Sequence, residues 1–175
     1  LRAVGCQNNL LIADAAMLSQ ALEQLPEAFS HAGRKYLIEP IEGIGCFHPK
    51  MMIRYGKAKA SLTLGSANAT SAGWGSNREL VSSLDWSQSA ETPDSAVRRR
   101  LIARAHDWLI AQVSATRNPD LSYKFDLLNS QAPWLACTDR GEGVEVFADG
   151  SLVDLMLSAP DAREPIGDRF LANVE

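Results

Sequence analysis

Cysteine, histidine and long apolar runs are all scarce in this sequence of 175 residues. Its three cysteines, Cys6, Cys46 and Cys137, are far apart and odd in number. That spacing argues against a disulfide framework and is typical of proteins from a reducing compartment. No apolar run approaches the roughly 18 residues that a membrane span requires, and no secretory signal peptide is visible. We therefore expect a cytoplasmic protein with no membrane partner.

The remaining composition is that of an ordinary globular protein. Hydrophobic residues make up 46% of the chain and charged residues 22%, which supplies enough apolar material for one compact domain. The first residue is Leu1 rather than methionine, and the chain stops at "FLANVE". We expect the sequence to be a piece of a longer protein.

Charge is divided unevenly along the chain, whose formal net charge is −4. Residues 1–119 carry 13 Lys and Arg against 10 Asp and Glu, whereas residues 120–175 carry 4 against 11. A local basic excess suits an anionic substrate, although scattered charges on a solvated face are the commoner cause of such a pattern. The basic residues concerned are Arg34, Lys35, Lys50, Arg54, Lys57 and Lys59.

Hydrophobic periodicity predicts strands alternating with helices, which indicates an α/β fold with a mixed β-sheet flanked by helices. One helix should be capped by Asp14 and end near Pro26, and another should begin at Thr92 and Pro93. Strands are expected near residues 35–39, 45–55, 60–65 and 79–86. Arginines of the second helix are expected on a solvated face or, less simply, at phosphates: Arg98, Arg99, Arg100 and Arg104.

The sequence changes character after Arg117. The segment "NPDLSYKFDLLNSQAPW" has the composition of a loop or linker, and "VEVFADGSLVDLMLSAP" predicts a strand followed by a helix. We therefore divide the chain into a half-domain over residues 1–117 and an acidic linker over residues 118–175. The latter has room for the start of a second half or subdomain.

The stretch "FHPKMMIRYGKAKASLTLGSANATSAGWGSNREL", residues 47–80, concentrates side chains that are suited to chemistry. Because side chains alternate between the two faces of a strand, His48 and Lys50 should project from one face. The opposite face is apolar enough to be core, with Phe47, Pro49, Met51, Ile53 and Tyr55.

A second group of polar residues follows in the same stretch. Ser66 and Asn68 come after a buried strand, just past a bend that Gly65 permits, and α/β folds place ligands at such strand ends. Glu79 begins the next strand. We therefore expect these residues to converge with His48 and Lys50 at one edge of a sheet.

Such a set of side chains suits phosphoryl transfer. A histidine, with a reference pKa near ~6.5, serves as nucleophile or proton donor, and lysine, serine and asparagine donate to phosphate oxygens. A carboxylate can hold the second ring nitrogen of the histidine. The cluster lacks the carboxylates that chelate Mg²⁺, so we expect neither a metal nor another cofactor.

The motifs "HPK", "GSANAT" and "NREL" resemble the His-x-Lys, Gly-Ser-x-Asn and Glu elements of the phospholipase D superfamily, and most closely its bacterial nuclease-like branch. The match covers residues 35–86, and the order of the elements makes it specific. The resemblance implies one phospholipase D-like half-domain. It also implies a metal-independent phosphodiesterase, a hydrolase that acts as a nuclease on DNA.

The resemblance further implies a role for each motif residue. His48 would attack phosphorus and become a phosphohistidine, or would serve as the general acid. Lys50, Ser66 and Asn68 would bind the phosphate, and Glu79 would orient His48. Covalent capture of this kind splits one difficult displacement into two.

The sequence departs from the family pattern at two points. Tyr55 stands where the usual signature has an aspartate. A complete site in the family takes two His-x-Lys motifs, and neither His31 nor His106 belongs to such a motif. The second half-site must therefore come from the same longer polypeptide or from a homodimer mate.

Other interpretations remain open. The chain is either a nuclease or a non-catalytic module that binds nucleic acid or serves in assembly, to which Tyr55 and the single motif lend weight. A phospholipid phosphodiesterase is the third candidate, although no interfacial apolar segment stands out. A zinc site at Cys46 and His48 lacks partner cysteines. Trp74 either stacks on a base or packs inside the bend.

Overall fold

The computed structural model describes residues 8–42, 47–68, 75–114, 116 and 118–157, and this part of the chain contains both strands and helices, as expected of the predicted α/β class, although four strands and then three α-helices follow one another instead of alternating. The strands are β1 (Leu10–Asp14), β2 (Leu37–Ile41), β3 (Met51–Tyr55), β4 (Lys59–Gly65), β5 (Val81–Ser87), β6 (Glu145–Val146) and β7 (Leu152–Val153). The α-helices are α1 (Ala15–Gln24), α2 (Ser95–Ser114), α3 (Pro119–Ser130) and α4 (Pro133–Cys137), and a 3₁₀ helix covers Pro26–Phe29.

The described strands form three sheets rather than the single mixed sheet that was predicted. Strands β1 and β2 pair in parallel, whereas β3, β4 and β5 form an antiparallel meander with β4 at its centre. Strands β6 and β7 form a short antiparallel hairpin. The protein therefore combines parallel and antiparallel pairing, but in separate hydrogen-bonded ladders.

Several predicted strands shift at their ends. The strands predicted near 60–65 and 79–86 are confirmed by β4 and β5. The strand predicted over 45–55 begins only at Met51, because Pro49 cannot donate to a ladder. The strand predicted near 35–39 is β2, which runs on to Ile41 and so includes Pro40, as an edge strand tolerates. Strand β1 was not predicted at all.

The main core lies between α2 and the antiparallel meander. Leu62 on β4 and Leu101 and Ile102 on α2 are almost fully buried, and Met51 and Ile53 pack against this cluster as their strand parity predicted. Asp14 caps α1, since its Oδ1 accepts from the amides of Ala16 and Met17 at 3.0 and 3.1 Å. That cap was also predicted.

The segment predicted as a loop or linker after Arg117 is helical instead. Asn118 caps α3 by accepting from the amide of Asp120 at 3.1 Å, and Pro119 occupies the first turn. Leu121 and Phe125 are buried against Val113 of α2. Asn118 and Pro119, which are common in turns, thus begin a helix here, and this helix packs on α2.

Three of the four arginines of α2 contact the C-terminal segment and Arg99 lies over the ring of Trp86, so the prediction of a solvated face was wrong. Arg100 forms two hydrogen bonds with the buried Glu145, at 2.9 and 2.6 Å. Arg98 lies over the ring of Phe147, 5.5 Å from its centroid. The strand and helix predicted over this segment are the β6–β7 hairpin and, over residues 154–157, irregular chain.

Candidate active site

Three chain segments meet at one end of the strands of the antiparallel meander. Antiparallel order places the start of β3, the end of β4 and the start of β5 side by side. The amide of Gly65 donates to the Lys50 carbonyl at 3.2 Å, and the amide of Ser66 donates to the Leu80 carbonyl at 3.0 Å. Motifs that are separate in the sequence are therefore brought together by the backbone ladder itself.

Gly65 allows the close approach on which this arrangement depends. A Cβ atom at this position would lie 2.5 Å from the carbonyl oxygen of Leu80 and 3.1 Å from Cα of Val81. Both neighbours are backbone atoms, so they cannot move aside as a side chain would. Any side chain here must push β4 and β5 apart where the site is built.

We expect Gly65→Ala to lower the free energy of unfolding by about 1–3 kcal/mol, the usual cost of forcing a methyl group into a packed site. Gly56→Ala is the matched control, because a Cβ there meets no atom within 4 Å. Urea denaturation of both variants measures the difference. Equal midpoints for the two variants would contradict the argument.

His48 and Lys50 lie in the short segment that leads into β3, and their side chains touch. Lys50 Nζ lies 2.6 Å from both Nδ1 and Nε2 of His48. The His48 side chain is exposed, whereas Lys50 is half-buried. The ammonium group thus lies beside the imidazole and donates to whichever ring nitrogen carries no proton.

Glu79 is held by two polar side chains at the start of β5. Ser66 donates its hydroxyl to Oε2 at 2.5 Å, and Asn77 donates its amide to Oε1 at 3.2 Å. The hydroxyl of Ser66 in turn accepts from the amide of Leu80 at 3.2 Å. The carboxylate of Glu79 therefore orients the β4–β5 bend, and among the described residues its hydrogen bonds are to these groups rather than to His48.

A cavity of about 560 Å³ brings the predicted residues together. His48, Lys50, Asn68 and Glu79 all line it. Ser66 supports it through Glu79. The lining also includes Asp14, so this cavity contains one ammonium group and two carboxylates from the described part of the chain.

Asp14 and Asn77 belong to the site but were not predicted there. Asp14 Oδ2 accepts from the amide of Phe47 at 3.0 Å, directly before His48, while its other oxygen caps α1. The sequence signal for Asp14 was its position directly after the apolar run "LLIA". Parallel strands place functional groups at their carboxyl ends, so an aspartate there is a candidate site residue. Asn77 gave no sequence signal beyond its place two residues before Glu79.

The other two histidines and Tyr55 lie away from the cavity. His106 is buried in α2, and burial lowers its pKa. His31 is exposed in the turn before β2. The Tyr55 ring packs edge-on against His106, with the ring centroids 5.1 Å apart, and burial raises the pKa of Tyr55 to about 12. The position of the family's aspartate is thus part of the core.

Two residues of the sequence prediction, Cys46 and Trp74, lie outside the described residues. No group of three or more potential metal ligands occurs among the described His, Cys, Asp and Glu side chains. Within the same ranges, none of the helices has the combination of length and apolarity needed to cross a membrane. The chemistry available in the described cavity is that of an imidazole, an ammonium group, two side-chain amides and two carboxylates.

Comparisons with protein-family models, with curated proteins and with solved structures give no match for this chain.

Proposed function

We propose that the chain is half of a metal-independent phosphodiesterase, a nuclease acting on DNA, in which His48 is the nucleophile. The observation that carries the proposal is the convergence of His48, Lys50, Asn68 and Glu79 on one cavity. A histidine beside a lysine, with an amide opposite, supplies a nucleophile and donors for a phosphodiester. The order of the motifs, which resembles that of the phospholipase D superfamily, points to the same chemistry.

The reaction proceeds in two displacements. A ring nitrogen of His48 attacks phosphorus, the phosphorus–nitrogen bond forms, and the bond to the leaving oxygen breaks as a general acid protonates that oxygen. Water then attacks the phosphohistidine, the phosphorus–nitrogen bond breaks, and the same group acts as a base for the water proton. Both steps need the acid on the far side of phosphorus from His48.

In this proposal a bound phosphate lies beside Lys50 and His48. In the free protein the ammonium group of Lys50 donates to the unprotonated ring nitrogen of His48. A bound phosphodiester offers this ammonium group stronger, anionic acceptors. Lys50 then turns to the phosphate oxygens and leaves a ring nitrogen of His48 free to attack.

The acid comes from a second half-site. His31 and His106 lie away from the cavity, so one chain places one histidine there among the described residues. A second His-x-Lys motif in the same longer polypeptide, or the same motif in a homodimer mate, would complete the pair.

A non-catalytic module that binds nucleic acid is the second candidate, and one observation favours it. Glu79 hydrogen-bonds to Ser66 and Asn77, so the carboxylate assigned to orienting His48 is engaged elsewhere. Such a protein would bind DNA through Lys50 and Asn68 without transferring a phosphoryl group. The two candidates differ in whether His48 is ever phosphorylated.

We expect hydrolysis of DNA by the completed enzyme to continue in excess EDTA at a rate within about twofold of the untreated rate, because imidazole is the nucleophile. Plasmid cleavage with and without EDTA measures this. Complete loss of cleavage, with recovery on adding Mg²⁺, would count against the phosphohistidine route.

A further inference from the structure

A second and larger cavity, of about 1610 Å³, separates the parallel pair from the antiparallel meander. Leu10, Leu11 and Ile12 of β1 and all of Met51–Tyr55 in β3 line it, together with residues of β4 and β5. Strands β1 and β3 belong to separate sheets, and the ladder hydrogen bonds show which edge of each strand faces away from its own sheet.

The ladder between β3 and β4 fixes which backbone groups of β3 face this cavity. Gly65 donates to the Lys50 carbonyl at 3.2 Å, and Gly56 donates to the Lys59 carbonyl at 2.9 Å. In an antiparallel ladder, hydrogen-bonded pairs alternate with pairs whose amides point outward. The outward amides and carbonyls in β3 are those of Met51, Ile53 and Tyr55.

The same reasoning applies to β1. Leu37 of β2 donates to the carbonyl of Asn9 at 3.0 Å, and the parallel register continues from there with Leu11 facing β2. Leu10 and Ile12 thus direct their amides and carbonyls to the cavity. Within the described part of the chain, no strand pairs with this edge of β1 or with the outward edge of β3.

The cavity also divides the hydrophobic core. Met51, Ile53 and Tyr55 pack with one cluster, whereas Leu10 and Ile12 pack with another around α3. One buried polar atom of a cavity-lining residue, the Tyr55 hydroxyl, has no hydrogen-bond partner among the described residues. Apolar surface and an unpaired polar group therefore meet along the same gap.

We propose that this gap is the binding site for an extended polypeptide strand, supplied by a segment outside the 175 residues. The strand pairs with β1 on one side and with β3 on the other, and joins the two described sheets into one. Five residues of strand span about 17 Å, enough to pair with both edges. Alternate apolar side chains of the strand would face α2, with a polar side chain near Tyr55.

An extended strand provides hydrogen-bond partners for the backbone groups of both edges, which other candidate occupants do not. Each edge presents a row of amides and carbonyls, and only another backbone offers donors and acceptors at the same repeat. To pair with both edges of the gap, a strand of a second copy would have to leave its own ladder, because each of the strands β1 to β5 is already paired on at least one side. A small apolar molecule would leave both rows unpaired.

The inference goes beyond the proposed function, but the two sites are neighbours. Several residues, among them Leu11, Ile12, Phe47, Pro49 and Met52, line both the larger cavity and the one that contains His48. An inserted strand would therefore end beside the His48 site and support it. Its binding can be measured without any assay of catalysis.

The experiment is residue-resolved amide hydrogen exchange on three proteins: the chain alone and two N-terminal fusions. One fusion carries the probe strand Thr-Val-Thr-Val-Thr-Val-Thr on a Gly/Ser linker of about 15 residues, which reaches about 20 Å. The other replaces each valine of the probe with proline, which cannot donate to a ladder. Amides of Leu11, Met52 and Arg54, already in ladders, serve as the internal control for folding.

We expect the outward amides to exchange fast in the chain alone and in the proline fusion, and at least ~10-fold more slowly in the valine fusion. Those amides belong to Leu10, Ile12, Met51, Ile53 and Tyr55. Protection already present in the chain alone would show that it covers its own edges and would overturn the proposal. So would protection of only one edge, equal protection by both fusions, no protection by either, or protection that follows dimerisation in light scattering.

Discussion

His48→Ala should abolish the release of nitrophenolate from bis(p-nitrophenyl) phosphate, with a loss of at least ~10³-fold, the scale of removing a covalent nucleophile. This substrate suits a half-site because nitrophenolate leaves without being protonated, so the first displacement needs no general acid. The unmodified chain should release a burst of one nitrophenolate per molecule and retain a phosphorylated His48. DNA has an alkoxide leaving group and should be cleaved only by the completed enzyme.

His31→Ala is the matched control for this experiment. His31 is exposed, as His48 is, but it lies in the turn before β2 and does not line the cavity. Its burst should be within about twofold of the unmodified chain, since it contacts no reacting group. Both variants should keep their melting temperatures, because neither side chain is buried. A burst from His48→Ala equal to that of the control would exclude His48 as the nucleophile. DNA binding by the unmodified chain without a burst would favour the non-catalytic module.

The candidate site could be predicted because its geometry is local. His48 and Lys50 lie in the segment that leads into β3, and Ser66 and Glu79 lie in the β4–β5 bend of the same antiparallel meander, whose strands are adjacent both in sequence and in space. Asp14 could not be predicted there, because it belongs to β1, whose partner β2 is its neighbour through a parallel and therefore non-local pairing. Its link to Phe47 spans 33 residues.

The fold prediction was wrong where one sequence pattern is compatible with two local structures. Asn118 and Pro119 are turn formers, but the same pair caps and starts a helix when apolar residues follow at helical spacing, as Leu121 and Phe125 do. The arginines of α2 were assigned to solvent because helix periodicity alone places them off the apolar stripe. Their partner, Glu145, is 45 residues away from Arg100, beyond the reach of any local pattern.

The contact between Arg100 and Glu145 should make the second largest measurable difference, and the difference should depend on pH. Glu145 is 6% exposed, and Arg104 approaches the same carboxylate at 3.7 Å. Glu145→Gln leaves both guanidinium groups facing a neutral amide in a partly desolvated site. Since the arginines keep some contact with water, we expect a loss of about 2–4 kcal/mol in the free energy of unfolding at pH 7, below the full cost of breaking a buried pair.

The pH dependence follows from the carboxylate. The hydrogen bond from Arg100 holds the pKa of Glu145 below its ordinary value of 4.5. A carboxyl group whose pKa is depressed by folding stabilises the protein above the unfolded-state pKa, and this contribution disappears as the pH falls through the folded-state pKa.

Urea denaturation at pH 7, 5.5, 4 and 3 should therefore show the unmodified chain losing its advantage over Glu145→Gln below about pH 4.5. Glu142→Gln, at an exposed position, should follow the unmodified chain throughout. A constant gap between Glu145→Gln and the unmodified chain from pH 7 to 3 would mean that the stabilisation comes from packing of the side chain rather than from its charge.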